Sequence, residues 1–307
     1  MKVGVIGAGY VGAAAVFAMV LRGSCSEVVI VDKNEQKARA EAADISHATP
    51  VAHATRVFAG QYQDLRGASV VILTAGANQR PGESRLELLG RNAAVFREVV
   101  PNVVQVAPDA VLLVATNPVD VMTQLTVDLV GPAQAGRVVG SGTVLDTARL
   151  RTLVATRAEV DPQHVHGYVL GEHGDTEVVA WSGVQIAGLP LTQFYESRGQ
   201  SWSPEMQVEM DHAVRHAAAE IIAGKGATAY GIGAALARIS EAVLRDRRSV
   251  LTVSAPSEQY GTSLALPRVV GGSGVLATLP TQLTAAEQQA LDHSAAVLRE
   301  AHAQLQQ

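Results

Sequence analysis

A single histidine in this sequence is placed as a proton-transfer group would be. His173 stands in the segment Gly171-Glu172-His173-Gly174-Asp175, directly after a strand-like run that ends at Leu170. Imidazole exchanges its proton near neutral pH, and the flanking glycines allow a sharp turn with room for a ligand beside the ring. A polar loop residue is the alternative interpretation, so the chemistry depends on what the rest of the chain brings to this ring.

Two charged residues offer partners for such a ring. Asp146 and Arg149 lie three positions apart in a helical pattern, so they share one helix face. An ordinary surface ion pair would show the same spacing. A polar loop, residues 78–85, contains Pro81-Gly82 and precedes a helix, which is typical either of a segment that closes over a ligand or of a solvated connection.

A glycine-rich segment near the N terminus predicts a dinucleotide site. The strand-like run Lys2–Ile6 leads through Gly7-Ala8-Gly9-Tyr10-Val11-Gly12 into the apolar helical stretch 13–21. In this context Gly7 permits the tight turn, Gly9 lets the pyrophosphate approach, and Gly12 lets helix and strand pack closely. The helix N terminus adds N–H donors and a favourable dipole for phosphate. A purely structural turn is the alternative.

An acidic residue after the second strand-like run favours NAD over NADP. Asp32 follows Val28-Val29-Ile30-Val31 and stands 20 positions after Gly12. Its carboxylate can accept hydrogen bonds from the adenosine ribose and would repel a 2′-phosphate. The same side chain can also cap the helix that begins near Asn34.

Alternating strands and helices predict an α/β fold with a doubly wound parallel sheet of the Rossmann type. Ligands of such sheets lie beyond the carboxyl ends of the strands. Polar segments follow strand-like runs there at Thr74-Ala75-Gly76-Ala77, Thr116-Asn117-Pro118-Val119-Asp120 and Gly140-Ser141-Gly142-Thr143. The alternation ends near Gly142. We therefore expect an NAD-binding domain over 1–142 and a C-terminal α+β substrate domain over 143–307, with helices at about 204–223, 227–245 and 284–305 and strands near 248–254 and 267–278.

Composition excludes several classes of protein. The 307 residues, 48% of them hydrophobic, suffice for two packed domains. A net charge of −5 and a pI near 6.0 argue against a nucleic-acid or membrane surface. The single cysteine, Cys25, excludes an internal disulfide and suits a reducing compartment. No signal peptide or apolar run of membrane-spanning length is visible, so we expect a cytoplasmic protein.

Five motifs, taken together, resemble the bacterial L-lactate dehydrogenases of the lactate/malate dehydrogenase superfamily. The resemblance covers nearly the whole chain, and the order and spacing of the motifs are specific for that superfamily. The motifs are Gly7–Gly12, the loop Asn78-Gln79-Arg80-Pro81-Gly82-Glu83-Ser84-Arg85-Leu86, Thr116–Asp120, Gly140–Arg149 and Gly171–Asp175.

The resemblance implies the NADH-dependent reduction of a 2-oxo acid, without a metal ion. NADH would supply a hydride and His173 a proton, while Asp146 would accept the other ring N–H. Arg149 would hold the substrate carboxylate with its bidentate fork, and Arg85 would polarise the carbonyl. Two further residues would line the substrate, namely Asn117 near the carbonyl oxygen and Thr228 beside the substrate side chain. An NAD-binding scaffold without activity would have no need of this combination.

Gln79 indicates the substrate within the superfamily. The malate enzymes typically carry Arg at this loop position, where it pairs with the second carboxylate of oxaloacetate. A neutral amide offers that carboxylate no charge, whereas the methyl group of pyruvate fits. A register slip of one residue would present Arg80 instead, but the spacing from Gly76 to Pro81 and Arg85 supports Gln79. Pyruvate and lactate are therefore the expected substrates, and malate dehydrogenase is the rival assignment.

The resemblance also assigns further cofactor and effector residues. Arg151 and His166 match positions that bind fructose 1,6-bisphosphate at a subunit interface in allosteric bacterial relatives; a solvated arginine and a strand-edge histidine are the alternatives. A homotetramer is implied, with a dimer as the alternative. Lys37 and Tyr62 would flank the adenosine, although either is equally typical of an exposed surface. The remaining cofactor residues would be Val11, Gly76, Ala77, Ala115, Asn117 and Ser141.

Overall fold

The computed structural model describes residues 1–77 and 85–305, with the backbone alone for Arg85 and Leu86. Gln79 and the rest of the loop 78–84 therefore lie outside the described residues, and so does the side chain of Arg85. The predictions for Gln79 and Arg85 stay predictions.

The first half alternates strands with helices, as the sequence predicts. Its inner strands, such as Val-Val-Ile-Leu and Val-Leu-Leu-Val, are buried along their whole length because helices cover both faces of the sheet. The elements are β1 (Lys2–Ile6), α1 (Tyr10–Arg22), β2 (Glu27–Val31), α2 (Glu35–Ser46), β3 (Arg56–Ala59), β4 (Val70–Leu73), α3 (Arg85–Val106), β5 (Val111–Val114), α4 (Val119–Val130) and β6 (Val138–Gly140).

The second half begins and ends with a helix and contains a three-stranded antiparallel extension of the sheet, β12 to β14. Its elements are α5 (Val144–Ala158), β7 (Val165–His166), β8 (Val169–Leu170), β9 (Val178–Val179), β10 (Gln185–Ile186), β11 (Leu189–Pro190), α6 (Leu191–Ser197), α7 (Pro204–Lys225), α8 (Tyr230–Leu244), β12 (Ser249–Ser257), β13 (Thr262–Gly271), β14 (Gly274–Thr278) and α9 (Ala285–Ala303).

Of the two strands expected near the C terminus, the one near 248–254 is present as β12 and the one at 267–278 is wrong. The chain forms a long hairpin, in which β12 pairs with β13 from Ser249 opposite Val270 to Ser257 opposite Thr262. The segment expected as one strand at 267–278 is instead split by a turn between β13 and β14. Residues 262–266 mix polar and apolar types although all are buried, so they give no alternating pattern. The short edge strand β3 is missed for a related reason, since none of its four residues is fully buried.

One nine-stranded sheet runs through the described residues, in the order β14-β13-β12-β6-β5-β4-β1-β2-β3. Six strands from the first half are parallel, which confirms the doubly wound α/β prediction. The hairpin joins them antiparallel through Ser254 opposite Gly140. The second half therefore extends the sheet of the first, and a domain division at Gly142 stays a prediction.

Helices α1 and α8 pack closely over this sheet. A Cβ on Gly233 of α8 would lie 2.7 Å from the backbone of Ala14 on α1, so only glycine permits this approach. Within the ranges 1–77 and 85–305, none of the helices combines the length and apolar character needed to cross a bilayer.

Candidate active site

The segment after β8 brings His173 against the first turn of α5. His173 Nδ1 lies 2.6 Å from Asp146 Oδ2, and Arg149 Nη1 donates a hydrogen bond of 2.5 Å to Asp146 Oδ1. Asp146 is 1% exposed, whereas the His173 side chain is 26% exposed and open to a ligand. The two residues predicted from spacing alone to share a face thus meet the predicted histidine in one cluster.

The N terminus of α5 is fixed by contacts that the sequence does not reveal. The Thr143 hydroxyl donates to the Val169 carbonyl at 2.5 Å, which ties α5 to β8 just before the turn that carries His173. Gly142 has φ +50, and a Cβ there would lie 2.6 Å from the backbone nitrogen of Ser254. Glycine at this position allows the hairpin and α5 to pack together. This packing helps to position Asp146 beside the ring of His173.

The electrostatics of the cluster favour a charged imidazole. Burial alone would lower the pKa of His173, but the charge and hydrogen bond of Asp146 outweigh it and raise the pKa to about 9. Burial likewise pushes the pKa of Asp146 upward, and His173 and Arg149 together bring it below its ordinary value. An ion pair of imidazolium and carboxylate is therefore the stable state in neutral solution.

A second buried acid, Asp120, holds the backbone of the same turn. Its Oδ2 accepts a hydrogen bond of 2.7 Å from the His173 amide, while Oδ1 has no hydrogen-bond partner among the described residues. Burial raises the pKa of Asp120 to about 6. Sequence reasoning quoted Asp120 as part of a motif and gave it no role. An Asp one residue after a valine in the first turn of a helix looks like an ordinary N-terminal acid.

A third buried acid, Glu177, was missed by sequence reasoning. It is 5% exposed, and one oxygen of its carboxyl group lies within 4.8 Å of ligand atoms of both Asp146 and His173. Two carboxylates and an imidazole could in principle hold a metal ion, but the guanidinium of Arg149 already occupies one oxygen of Asp146. Glutamate before a valine-rich strand gives no sequence signal of this placement.

Arg149 also reaches a cleft that Thr228 lines. The cleft has a volume of about 540 Å³ and runs between α5 and the α7–α8 junction, where its other walls include Leu145, Tyr230 and Ile232. Of the five N–H donors that a guanidinium carries, one goes to Asp146, which leaves the outer edge to face an anion. The sequence-predicted pair Arg149 and Thr228 is thus brought to one cavity.

The glycine-rich loop has the geometry that a dinucleotide requires. A Cβ on Gly12 would lie 2.1 Å from the Gly7 carbonyl, and Gly7 itself has φ +109, so both positions exclude other residues. A Cβ on Gly9 would meet no protein atom within 4 Å, which leaves an open cradle above the N terminus of α1. Gly9 caps α1 without any side-chain hydrogen bond. Backbone N–H groups therefore face this space as they would face a pyrophosphate.

The Asp32 carboxylate holds the backbone of that loop through hydrogen bonds. Its Oδ2 accepts a hydrogen bond of 2.6 Å from the Ala8 amide, and its Oδ1 accepts one of 2.8 Å from the Asn34 amide. Each carboxylate oxygen has further acceptor capacity, so ribose hydroxyls can be bound at the same group. The expected cofactor role and the expected capping role of Asp32 are therefore compatible. These features fit NAD.

The remaining cofactor residues lie at the carboxyl ends of β4, β5 and β6. Asn92 of α3 links two of these segments, because its Oδ1 accepts from the Ala77 amide at 2.7 Å and its Nδ2 donates to the Asn117 carbonyl at 2.9 Å. Asn92 is buried and was missed, since a polar residue within a long helix gives no sign of such a bridge. Gly76, Ala115 and Ser141 lie at the same edge.

Three of the predicted cofactor residues make contacts within the protein. Tyr62 packs against the hydrophobic core, and burial raises its pKa. Val11 packs against the core on the other side of the sheet. Lys37 is exposed in the first turn of α2, where its amide donates to the capping side chain of Asn34. Their cofactor roles stay predictions.

Arg151 and His166 lie on adjoining surfaces. The Arg151 guanidinium donates to the Gly167 carbonyl at 3.2 and 3.3 Å and lies 5.6 Å from the ring centre of Tyr168. His166 is exposed on β7, next to Gly167. Arg151 thus contacts the residue directly after His166 in the chain.

Comparisons with known proteins agree with this geometry. Residues 1–140 match the family described as "lactate/malate dehydrogenase, NAD binding domain", and residues 143–307 match "lactate/malate dehydrogenase, alpha/beta C-terminal domain". The chain is 61% identical over 299 residues to an L-lactate dehydrogenase of Deinococcus radiodurans, covering 97% of each chain. It is 53% identical over 304 residues to one of Thermus aquaticus, again covering 97% of each.

A solved structure gives the same result. The crystal structure of a minor L-lactate dehydrogenase from Enterococcus mundtii, in its ligand-bound form, superposes with a TM-score of 0.94 at 38% identity, covering 98% of this chain and 97% of the other. Motifs, site geometry and relatives over the full length thus lead to one conclusion. This chain belongs to the lactate/malate dehydrogenase family and is an NAD-dependent oxidoreductase.

Proposed function

We propose that the protein is an L-lactate dehydrogenase, which reduces pyruvate to (S)-lactate with NADH and catalyses the reverse reaction with NAD. One observation carries the proposal: His173 is held charged by buried Asp146, and Arg149, which hydrogen-bonds to the same carboxylate, lines a cleft. A proton donor next to an anion-binding guanidinium is what a 2-oxo acid requires. The names of the relatives support lactate as the product.

Each residue of the candidate site has a separate role in the proposed reaction. Nδ1 of His173 faces Asp146, so Nε2 is the ring atom that delivers the proton to the carbonyl oxygen. Arg149 binds the substrate carboxylate, and Arg85 stabilises the charge that develops on the oxygen. Asn117 bonds near that oxygen, and Thr228 contacts the methyl side. Bound NADH supplies the hydride.

Gln79 sets the preference for pyruvate. Its amide carries no charge, so a second carboxylate on the substrate would be desolvated without a partner. We therefore expect Gln79→Arg to shift the ratio of kcat/KM for oxaloacetate over pyruvate upward by on the order of a hundredfold or more.

NADH oxidation followed by absorbance tests the assignment. Wild type should consume NADH with pyruvate much faster than with oxaloacetate, and His173→Asn should reduce the pyruvate rate by at least roughly a thousandfold. A faster reaction with oxaloacetate would make the protein a malate dehydrogenase. No reaction with either substrate would make it a cofactor-binding scaffold.

We further propose that fructose 1,6-bisphosphate activates the enzyme at Arg151 and His166. Arg151 bonds to the residue that follows exposed His166, and a phosphate would pair with the guanidinium and with the imidazole. We expect the bisphosphate to lower the apparent KM for pyruvate, and Arg151→Gln to abolish the effect. An identical response in wild type and variant would place the effector elsewhere.

A homotetramer in the cytoplasm completes the proposal. Exposed apolar side chains border the cleft between α1, α2 and the α7–α8 junction, which suits burial against another copy of the chain; Tyr10, Phe17 and Tyr230 are 77%, 43% and 79% exposed. Buried, unpaired Cys25 is compatible with a reducing compartment. Sedimentation equilibrium should give four times the mass of 32.1 kDa.

A further inference from the structure

Glu177 is a buried acid that the proposed chemistry leaves without a role. Its backbone is fixed, because its amide donates to the Gly174 carbonyl at 3.1 Å and its carbonyl accepts from Arg215 Nη2 at 2.9 Å. Its side chain is 5% exposed, yet Oε1 has no hydrogen-bond partner among the residues that the structure describes. A buried carboxyl group with an unpaired oxygen costs free energy, so the surroundings must favour one protonation state strongly.

The surroundings of Glu177 are dominated by the pair that moves the proton. One oxygen of Glu177 lies within 4.8 Å of ligand atoms of Asp146 and His173. The charged groups that act on it are Asp146 and Arg149 from α5, His173 from the same turn and Arg215 from α7. Arg215 also pairs with Asp211 on its own helix, at 3.6 Å.

If Asp146 and Glu177 were both ionised, two negative charges would repel each other in a buried site. The free energy of ionisation therefore differs between the two carboxyl groups. Burial first, and then the negative charge of Asp146, raise the pKa of Glu177 to about 8. The pKa of Asp146 is lowered, because it has the direct contacts with His173 and Arg149. In neutral solution the cluster therefore carries a charged Asp146, a charged His173 and a neutral Glu177.

We propose that Glu177 is a positioning residue that tunes His173: its buried carboxyl group, within 4.8 Å of a ring nitrogen, supplies when ionised a further negative charge that keeps the proton on the ring. The proposal rests on the proposed function, since it concerns the same proton donor. Each ionised carboxylate near the ring stabilises the imidazolium and so raises the pKa of His173. Asp146 and Asp120 act on the ring in this direction, and so does Glu177. As pH rises and Glu177 loses its proton, the new charge appears where His173 would otherwise begin to lose its own.

Glu177→Gln separates this role from a merely structural one. Glutamine has the shape of the protonated acid but cannot ionise, so His173 should lose its proton about one pH unit lower than in wild type. We expect the ratio of kcat/KM for pyruvate at about pH 7 to that at about pH 9 to grow about fivefold, because the ring would be roughly half protonated at about pH 9 in wild type and roughly one-tenth protonated in the variant. Glu209→Gln on the exposed side of α7 is the matched control and should keep the wild-type ratio.

Infrared spectroscopy gives a readout that needs no turnover. Wild type near pH 7 should show a protonated-carboxyl band that fades as pH rises through about 8, and Glu177→Gln should lack this band. An unmoved alkaline limb of the pH profile in a folded Glu177→Gln protein would overturn the proposal. Should that variant not fold, a wild-type spectrum without a band titrating in this range would overturn it as well.

The two levels of inference fail differently. If wild type does not reduce pyruvate, the proposed function is wrong, whereas the infrared band still tests the protonation of Glu177. If wild type is active and its profile matches that of Glu177→Gln, the function stands and the tuning role of Glu177 is wrong.

Discussion

Replacing Asp146 with asparagine tests the electrostatic basis of the site. The substitution keeps the size of the side chain and removes the charge 2.6 Å from His173 Nδ1. With that charge the pKa of His173 is about 9, against an ordinary value of 6.5. The difference corresponds to about 3 kcal/mol in favour of the charged ring. Without Asp146, burial acts against the charge, and the pKa should fall to 6.5 or below.

The expected loss of activity depends on pH in a defined direction. A raised pKa keeps the ring charged below the raised value, and the advantage disappears as pH rises through it. At about pH 8, a pKa near 9 leaves roughly nine-tenths of the rings protonated and a pKa near 6.5 leaves roughly 3%, so kcat/KM should fall about 30-fold from protonation alone. At about pH 5.5 both forms are protonated, and the remaining deficit measures lost orientation of the ring.

The assay is kcat/KM for pyruvate at saturating NADH across this pH range. Asp109→Asn, an exposed residue at the opposite end of β5, is the matched control and should behave as wild type. A deficit in Asp146→Asn that is the same at every pH would refute the reasoning, since Asp146 would then orient the ring without setting its charge.

Three further predictions concern the cofactor loop and the stability of the fold. Gly12→Ala places a methyl carbon 2.1 Å from the Gly7 carbonyl and should lower Tm by several degrees. The methyl group of Gly9→Ala meets no protein atom, so this variant should keep the wild-type Tm. It should weaken NADH binding by about tenfold in a fluorescence titration, because the methyl group stands where the pyrophosphate approaches. Asp32→Ser removes the acceptor of two backbone hydrogen bonds and the repulsion of a 2′-phosphate, so the preference for NADH over NADPH should fall by on the order of tenfold or more in kcat/KM. Glu241→Gln should cost about 2 kcal/mol of unfolding free energy near neutral pH, because buried Glu241 pairs with Arg22 at 2.8 Å; its lowered pKa means that this contribution is lost as pH falls through the acid range.

Each of these predictions has a contrary outcome. Equal losses of Tm in the two alanine variants would mean that the loop has no open cradle at Gly9. An unchanged ratio of NADH to NADPH activity after Asp32→Ser would place cofactor discrimination at another residue. A free-energy difference between wild type and Glu241→Gln that persists at low pH would show that shape, not charge, is what Glu241 contributes.

Much of the fold was predictable because its signals are local. The strand before Gly7, the glycine spacing and the acid at Asp32 identify a dinucleotide-binding unit within one stretch of chain, and parallel strands buried on both faces appear as continuous apolar runs. The hairpin was less predictable. The pairing of β12 with β13, and their addition to β6 through Ser254, depend on contacts between distant segments.

The candidate site was likewise predictable from the sequence only in part. Sequence alone predicted His173, Asp146 and Arg149 as site residues, because their residue types and motif spacing suit proton transfer and anion binding and resemble a known family. It gave no role to Asp120, Asn92 or Glu177, whose importance comes from burial by other elements. A carboxyl or amide side chain is an ordinary polar group when solvated. Only the tertiary structure removes water and places it beside a particular backbone amide or ring, and that desolvation fixes its hydrogen bonds and its charge.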